Sequence, residues 1–166
     1  MSRGEPIGRR RVLETLGVLG VAGASGGLTL AWPEPAQAQQ LGLQESVEDA
    51  LKRVFGGRPI RDAAAGQIKL DVPFIAENGA VVPVSVEVAS PMTPQSYVKH
   101  IYVVADKNRI PIITRVALAP ESGQAFVGTT VRLGESGDVR AIVEQSDGTL
   151  LQVKREVKVT VGGCGG

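Results

Sequence analysis

Apolar residues recur at helical spacing just before position 56. Leu43, Val47, Leu51 and Val54 lie four or three residues apart, which places them on one face of a helix and predicts helix over Ser46–Phe55. Ser46 with Asp49 three positions later resembles a capping box, with Asp in place of the usual Glu or Gln. Gly56-Gly57 supplies the stop. Beyond that point the period changes from 3.6 to 2. Val82, Val84, Val86 and Val88 share one face of a predicted strand over Ala80–Ala89, with Ser85 and Glu87 on the other. Pro83 cannot donate a ladder hydrogen bond, so an edge or a bulge is expected there. Asn78-Gly79, just before this strand, is a tight-turn dipeptide.

Further strands are predicted over Ile68–Val72, Val98–Ala105, Ile110–Leu118, Ala125–Leu133, Val139–Glu144 and Leu150–Val161, with a turn at Asp147-Gly148. About seven short strands with frequent turns predict an all-β fold, an Ig-like antiparallel β-sandwich behind a short N-terminal helix. No helix alternates with the strands, which argues against a parallel α/β sheet. The valine-rich strand 80–89 is a candidate partner-binding face.

The first 38 residues have a different pattern. Arg9-Arg10-Arg11 precede a stretch free of charge from Thr15 to Pro33, and Ala36-Gln37-Ala38 is a small-x-small cleavage site. This reads as an export signal, and the paired arginines suggest the twin-arginine route, although Arg11-Val12-Leu13-Glu14 matches that pattern only in part. The alternative is a membrane anchor. Gly17, Gly20, Gly23, Gly26 and Gly27 dilute the hydrophobicity of the stretch and favour the signal. The expected organisation is 1–38 signal, 39–57 helical segment, 58–161 β-sandwich and 162–166 a flexible carrier arm.

Charge then narrows the function. The chain has 18 Lys+Arg against 17 Asp+Glu, and loss of residues 1–38 would leave it formally neutral. A nucleic-acid binder would show a basic excess. One Cys and one His exclude an internal disulfide framework and a several-cysteine metal site, and no cofactor is expected.

That one Cys lies in an unusual tail, Val161-Gly162-Gly163-Cys164-Gly165-Gly166. Beyond Val161 no side chain is available to pack, so Gly162, Gly163, Gly165 and Gly166 are expected to form a flexible arm around Cys164. Fully extended, residues 162–164 would reach roughly 10 Å from the domain. A narrow strip of backbone bearing one thiol suits presentation of sulfur to several active sites. It does not suit catalysis by this chain, because nucleophilic catalysis needs an oriented base. An unpaired exported Cys also fits a secreted β-sandwich adhesion or assembly module dimerised by a Cys164 disulfide.

The segment Val157–Gly166 resembles the C-terminus of the SoxY family, the sulfur-carrier subunits of the bacterial thiosulfate-oxidising (Sox) multienzyme system. Ala76-Glu77-Asn78-Gly79-Ala80-Val81-Val82-Pro83-Val84 through Ser90-Pro91-Met92 resembles the same family. So do Tyr97–Ile101, Phe55-Gly56-Gly57-Arg58-Pro59-Ile60 and Ile68–Pro73. The resemblance implies a periplasmic carrier, not an enzyme, with Cys164 as the site of covalent sulfur attachment. It implies a heterodimer with a separate SoxZ subunit, and visits to the SoxAX haem enzyme, the SoxB hydrolase and, in complete systems, the SoxCD dehydrogenase. Neither nucleic acid nor, for the mature form, membrane is an implied partner.

Other side chains are weaker candidates. His100 shares strand parity with Val98, Tyr102 and Val104 and reads as structural or partner-facing, since no second His could complete a metal site. Tyr97, Tyr102 and Phe126 read as core or interface packing. Asp71/Glu77 and Glu135/Asp138 read as solvated charges beside turns.

Overall fold

The computed structural model describes residues 44–163. The export-signal assignment for 1–38, and Cys164, Gly165 and Gly166, lie outside the described residues. The helix α1 spans Val47–Phe55. Ser46 caps it: its Oγ accepts from the Asp49 N–H at 3.1 Å and donates to the Asp49 carboxylate at 2.8 Å. The Asp thus answers the serine hydroxyl instead of reaching back to the cap backbone as a Glu would. Gly56 adopts a left-handed conformation (φ 62°), where glycine carries no Cβ penalty, and closes the helix through its N–H to Lys52 O.

Nine strands follow: β1 (Ile60–Asp62), β2 (Ile68–Asp71), β3 (Ile75–Asn78), β4 (Val82–Val88), β5 (Val98–Ala105), β6 (Ile112–Ala117), β7 (Ala125–Val131), β8 (Gly137–Gln145) and β9 (Leu150–Val161). They form two sheets. The larger runs β1-β9-β8-β5-β6 with β3 also on β9, and the smaller runs β2-β4-β7. All seven expected strands are present, and β1 and β3 are additional. Both additions pair parallel to β9, an exception to the antiparallel rule of the rest. Their origin is the length of β9. Its twelve residues carry β8 along one edge over Leu150–Val157, and β1 and β3 cover its two ends. Strands of three or four residues are too short to show a period, so the pattern hides them.

The main core lies between the sheets. Val82, Val84, Val86 and Val88 of β4 pack with Ile68 and Leu70 of β2 against Ile101, Val103, Ala141 and Val143 of β5 and β8. The β4 valines therefore face inward and are not a partner-binding face; the outer face of that strand carries Pro83, Ser85 and Glu87. Pro83 sits opposite Thr130 of β7, while β2 ends its pairing at Asp71↔Ser85. The proline is thus in a central strand but beyond the reach of its second neighbour, which makes the position an effective edge.

A second, smaller core covers the other face of the large sheet. Phe55 of α1 packs with Tyr102, Val104, Ile142 and Leu150, flanked by Val47, Leu51 and Val54. Phe55 meets Tyr102 edge-on at 4.9 Å between ring centroids. Strand β5, covered on both faces, is buried at every position except Lys99. That explains its nearly unbroken apolar run. No helix among the described residues is long and apolar enough to cross a membrane.

Candidate functional site

The tail is delivered by the end of β9. Ile75, Ala76 and Asn78 of β3 lie opposite Lys158, Val159 and Val161. On the other side, beyond the last residue paired with β8, Val159 N–H donates to Ser136 Oγ at 2.8 Å. The end of β9 is therefore held from both edges.

The chain past Val161 stays against the domain. Gly79 N–H donates to Val161 O at 2.7 Å, Leu133 N–H donates to Gly79 O at 2.7 Å, and Gly163 N–H donates to Leu133 O at 3.0 Å. Gly163 is buried and Gly162 exposed. The arm expected to leave the domain at Gly162 is thus packed through Gly163. The reason is close backbone contact: a Cβ at Gly163 would lie 2.7 Å from Gly79 O, and one at Gly162 would lie 2.4 Å from Gly134 O.

Gly79 itself is not in the left-handed region that its turn dipeptide suggests. It is glycine because a Cβ would stand 2.3 Å from Leu133 O and 2.8 Å from Gly163 N. The adjoining turn is tightened by Ala80 N–H donating to Asn78 Oδ1 at 2.8 Å. Asn108, in the loop after β5, is buried and braces the opposite wall. Its Nδ2 donates to Arg132 O at 2.7 Å, and its Oδ1 accepts from Gly134 N–H at 3.0 Å. Val81 and Val161, on the segments that meet at this point, are exposed.

A second polar constellation, not foreseen from the sequence, lies on the helix-covered face of the large sheet. Glu144 of β8 is buried. It accepts from Arg58 Nη1 at 2.9 Å, from His100 Nδ1 at 2.9 Å and from the Tyr102 hydroxyl at 3.4 Å. Arg115 of β6 points a nitrogen at His100 Nε2, 3.1 Å away. A guanidinium can only donate, so Nε2 accepts and the ring proton sits on Nδ1, where it donates to Glu144. Burial opposes ionisation of Glu144, but the hydrogen bonds from Arg58 and His100, with the Arg58 charge, together outweigh it and hold the carboxyl below its ordinary range. Burial, and then the Glu144 charge, push the Tyr102 hydroxyl up.

The distance to the tail decides the role of this cluster. Glu144 is in register with Leu150 at the start of β9, and the tail begins after Val161. At about 3.3 Å per strand residue the separation along β9 is roughly 35 Å. The cluster ties β5, β6, β8 and the segment after α1 together, far from the end of β9. Its members are dispersed in the sequence, and no local motif marks them.

The weaker candidates divide. Tyr97 packs on the main core, Tyr102 in the smaller one, and Phe126 is exposed on the outer face of β7. Asp71, Glu77 and Glu135 are exposed and Asp138 half-exposed. Among the described residues no group of three or more His, Cys, Asp or Glu side chains is placed to hold a metal ion.

Comparison with known proteins fits this geometry. The family model described as sulfur oxidation protein SoxY matches residues 51–164, so the match runs from α1 to Cys164. The solved structure of the sulfur carrier protein SoxY from Chlorobium limicola f thiosulfatophilum is 29% identical, with a TM-score of 0.58 over 70% of this chain and 97% of that one. A superoxide reductase (neelaredoxin) from Ignicoccus hospitalis is 21% identical, with a TM-score of 0.50 over 70% of this chain and 95% of that one; this is a likeness of fold alone. No curated protein matches. A family match spanning most of the chain and reaching the tail thiol, on a two-sheet fold shared with a solved carrier, places the assignment beyond fold analogy: the chain belongs to the SoxY family of sulfur oxidation proteins.

Proposed function

We propose that this chain is the covalent sulfur carrier of a periplasmic thiosulfate-oxidising system, with Cys164 as the attachment site and SoxZ as its partner subunit. The observation that carries the reading is the family match running to Cys164, within a tail otherwise made of glycine. The carrier performs no catalysis. A haem partner, SoxAX, joins thiosulfate to the Cys164 sulfur. One S–S bond forms, the thiol proton is released and two electrons pass to the partner, leaving an S-thiosulfonate. The SoxB hydrolase then adds water across the terminal S–S bond and releases sulfate, which leaves a persulfide on Cys164. Where SoxCD is present, it oxidises the outer sulfur.

Covalent attachment keeps each intermediate from diffusing away, and tethering raises its effective concentration at each enzyme. Persulfide and S-thiosulfonate are reversible states of sulfur, whereas overoxidation of Cys164 itself to sulfinic or sulfonic acid would end its service. The twin-arginine signal read in residues 1–38 agrees with delivery to the periplasm.

Two measurements test the reading. Cys164→Ser should abolish thiosulfate-dependent turnover in a reconstituted system while the far-ultraviolet spectrum stays that of a folded β protein. Intact-mass analysis of protein from thiosulfate-grown cells should find sulfur or thiosulfate adducts that map to Cys164. Turnover by Cys164→Ser, or a stable disulfide dimer inert to thiosulfate, would refute the carrier assignment.

A further inference from the structure

We propose that Gly79, Leu133 and Asn108 form a clamp that holds the root of the carrier arm to the domain through Gly163, the residue before Cys164. This deepens the carrier reading and rests on it for its purpose, though the contacts themselves do not.

Three hydrogen bonds run in series across the clamp, from Gly79 N–H to Val161 O, from Leu133 N–H to Gly79 O, and from Gly163 N–H to Leu133 O. Gly79 and Leu133 each use both of their backbone groups in it. Asn108 bonds to the residues on either side of Leu133, which aims the Leu133 carbonyl at the incoming Gly163 N–H. Asn108 is therefore a positioning residue.

A glycine kept only for swivelling would not need close contact with its surroundings. Here an added Cβ at Gly79, Gly162 or Gly163 would come within 2.3, 2.4 and 2.7 Å of a backbone oxygen. Real Cβ atoms do not approach backbone that closely, so these glycines are required for docking. Gly163 is moreover buried.

Docking through Gly163 removes two of the three residues, 162–164, from the reach of an extended arm, at roughly 3.5 Å each. The docked root ends at Gly163, and Val81 and Val161 on the adjoining segments are exposed. A partner that needs a longer arm must break the Gly163 bond. One net hydrogen bond corresponds to about tenfold in population, which binding can supply.

Amide hydrogen exchange followed by NMR on the full-length mature chain tests the clamp without any partner enzyme. The Gly163 amide should exchange about tenfold or more slowly than an unstructured glycine. Gly163→Ala should abolish that slowing at position 163, while the amide of Val143 in the core and the thermal midpoint stay as in the parent. Asn108→Ala should speed exchange at Gly163 as well. An unstructured exchange rate at Gly163 in the parent chain, or full protection at position 163 in Gly163→Ala, would overturn the clamp. Neither result bears on whether Cys164 carries sulfur, which the turnover of Cys164→Ser decides separately.

Discussion

Gly79 is the point where three separate stretches of backbone converge, and replacing it with alanine puts the close-contact argument to a quantitative test. The new Cβ would lie 2.3 Å from Leu133 O and 2.8 Å from both Gly163 N and Val159 Cγ1. An ordinary carbon–oxygen contact is about 3.3 Å, so one wall must retreat by about 1 Å. That retreat breaks the bonds from Gly79 N–H to Val161 O and from Leu133 N–H to Gly79 O, and it releases Gly163. At about 1 kcal/mol net for each bond the loss is about 3 kcal/mol. The stiffer unfolded chain of the alanine variant returns about 0.5–1 kcal/mol, leaving about 2 kcal/mol. At about 4 °C per kcal/mol for a domain of this size, the thermal midpoint should fall by roughly 8 °C. Thermal unfolding followed by far-ultraviolet circular dichroism measures this. Gly163→Ala is the control: it gives up only the Gly163 bond and shares the stiffening of the unfolded chain, so its midpoint should stay within about 2 °C of the parent. A Gly79→Ala midpoint equally close to the parent would refute the steric reasoning.

Two other predictions follow from the cores. Phe55→Ala removes the side chain that α1 buries against Tyr102, and should cost about 3–4 kcal/mol in urea unfolding; a loss under about 1 kcal/mol would mean the helix contributes little. The Glu144 carboxyl is lowered from 4.5 in the folded chain, so the unfolded chain takes up that proton first as the pH falls. Its contribution is complete above the ordinary carboxylate range and is lost as the pH drops through the folded value. Glu144→Gln should therefore flatten the acid limb of stability against pH, and matching acid limbs in parent and variant would sink the assignment.

The sandwich was legible because its strands announce themselves locally. The alternating valines of β4, the continuous run of β5 and the capped, glycine-terminated α1 each lie within one contiguous segment, and burial follows their period. The two short strands on β9 were not legible, since three or four residues carry no period. The Glu144 cluster escaped for a different reason. Arg58, His100, Arg115 and Glu144 come from four segments, and only sheet register brings them within hydrogen-bond reach.

The tail separates the two kinds of information most sharply. That a lone thiol stands among glycines is a property of the sequence and needs no fold to be seen. What those glycines do is not. Composition alone equates glycine with freedom, because it removes side-chain restraint. The fold reverses that at Gly162 and Gly163, where the absent Cβ lets backbone approach backbone and the Gly163 N–H finds the Leu133 carbonyl. That contact depends on Gly79, Leu133 and Asn108, residues remote in the chain and brought together only by the pairing of β3 with the end of β9 and by the path of the chain beyond β7. Period and composition therefore determined the longer strands, the helix and the thiol, and tertiary packing decided how far the tail is docked.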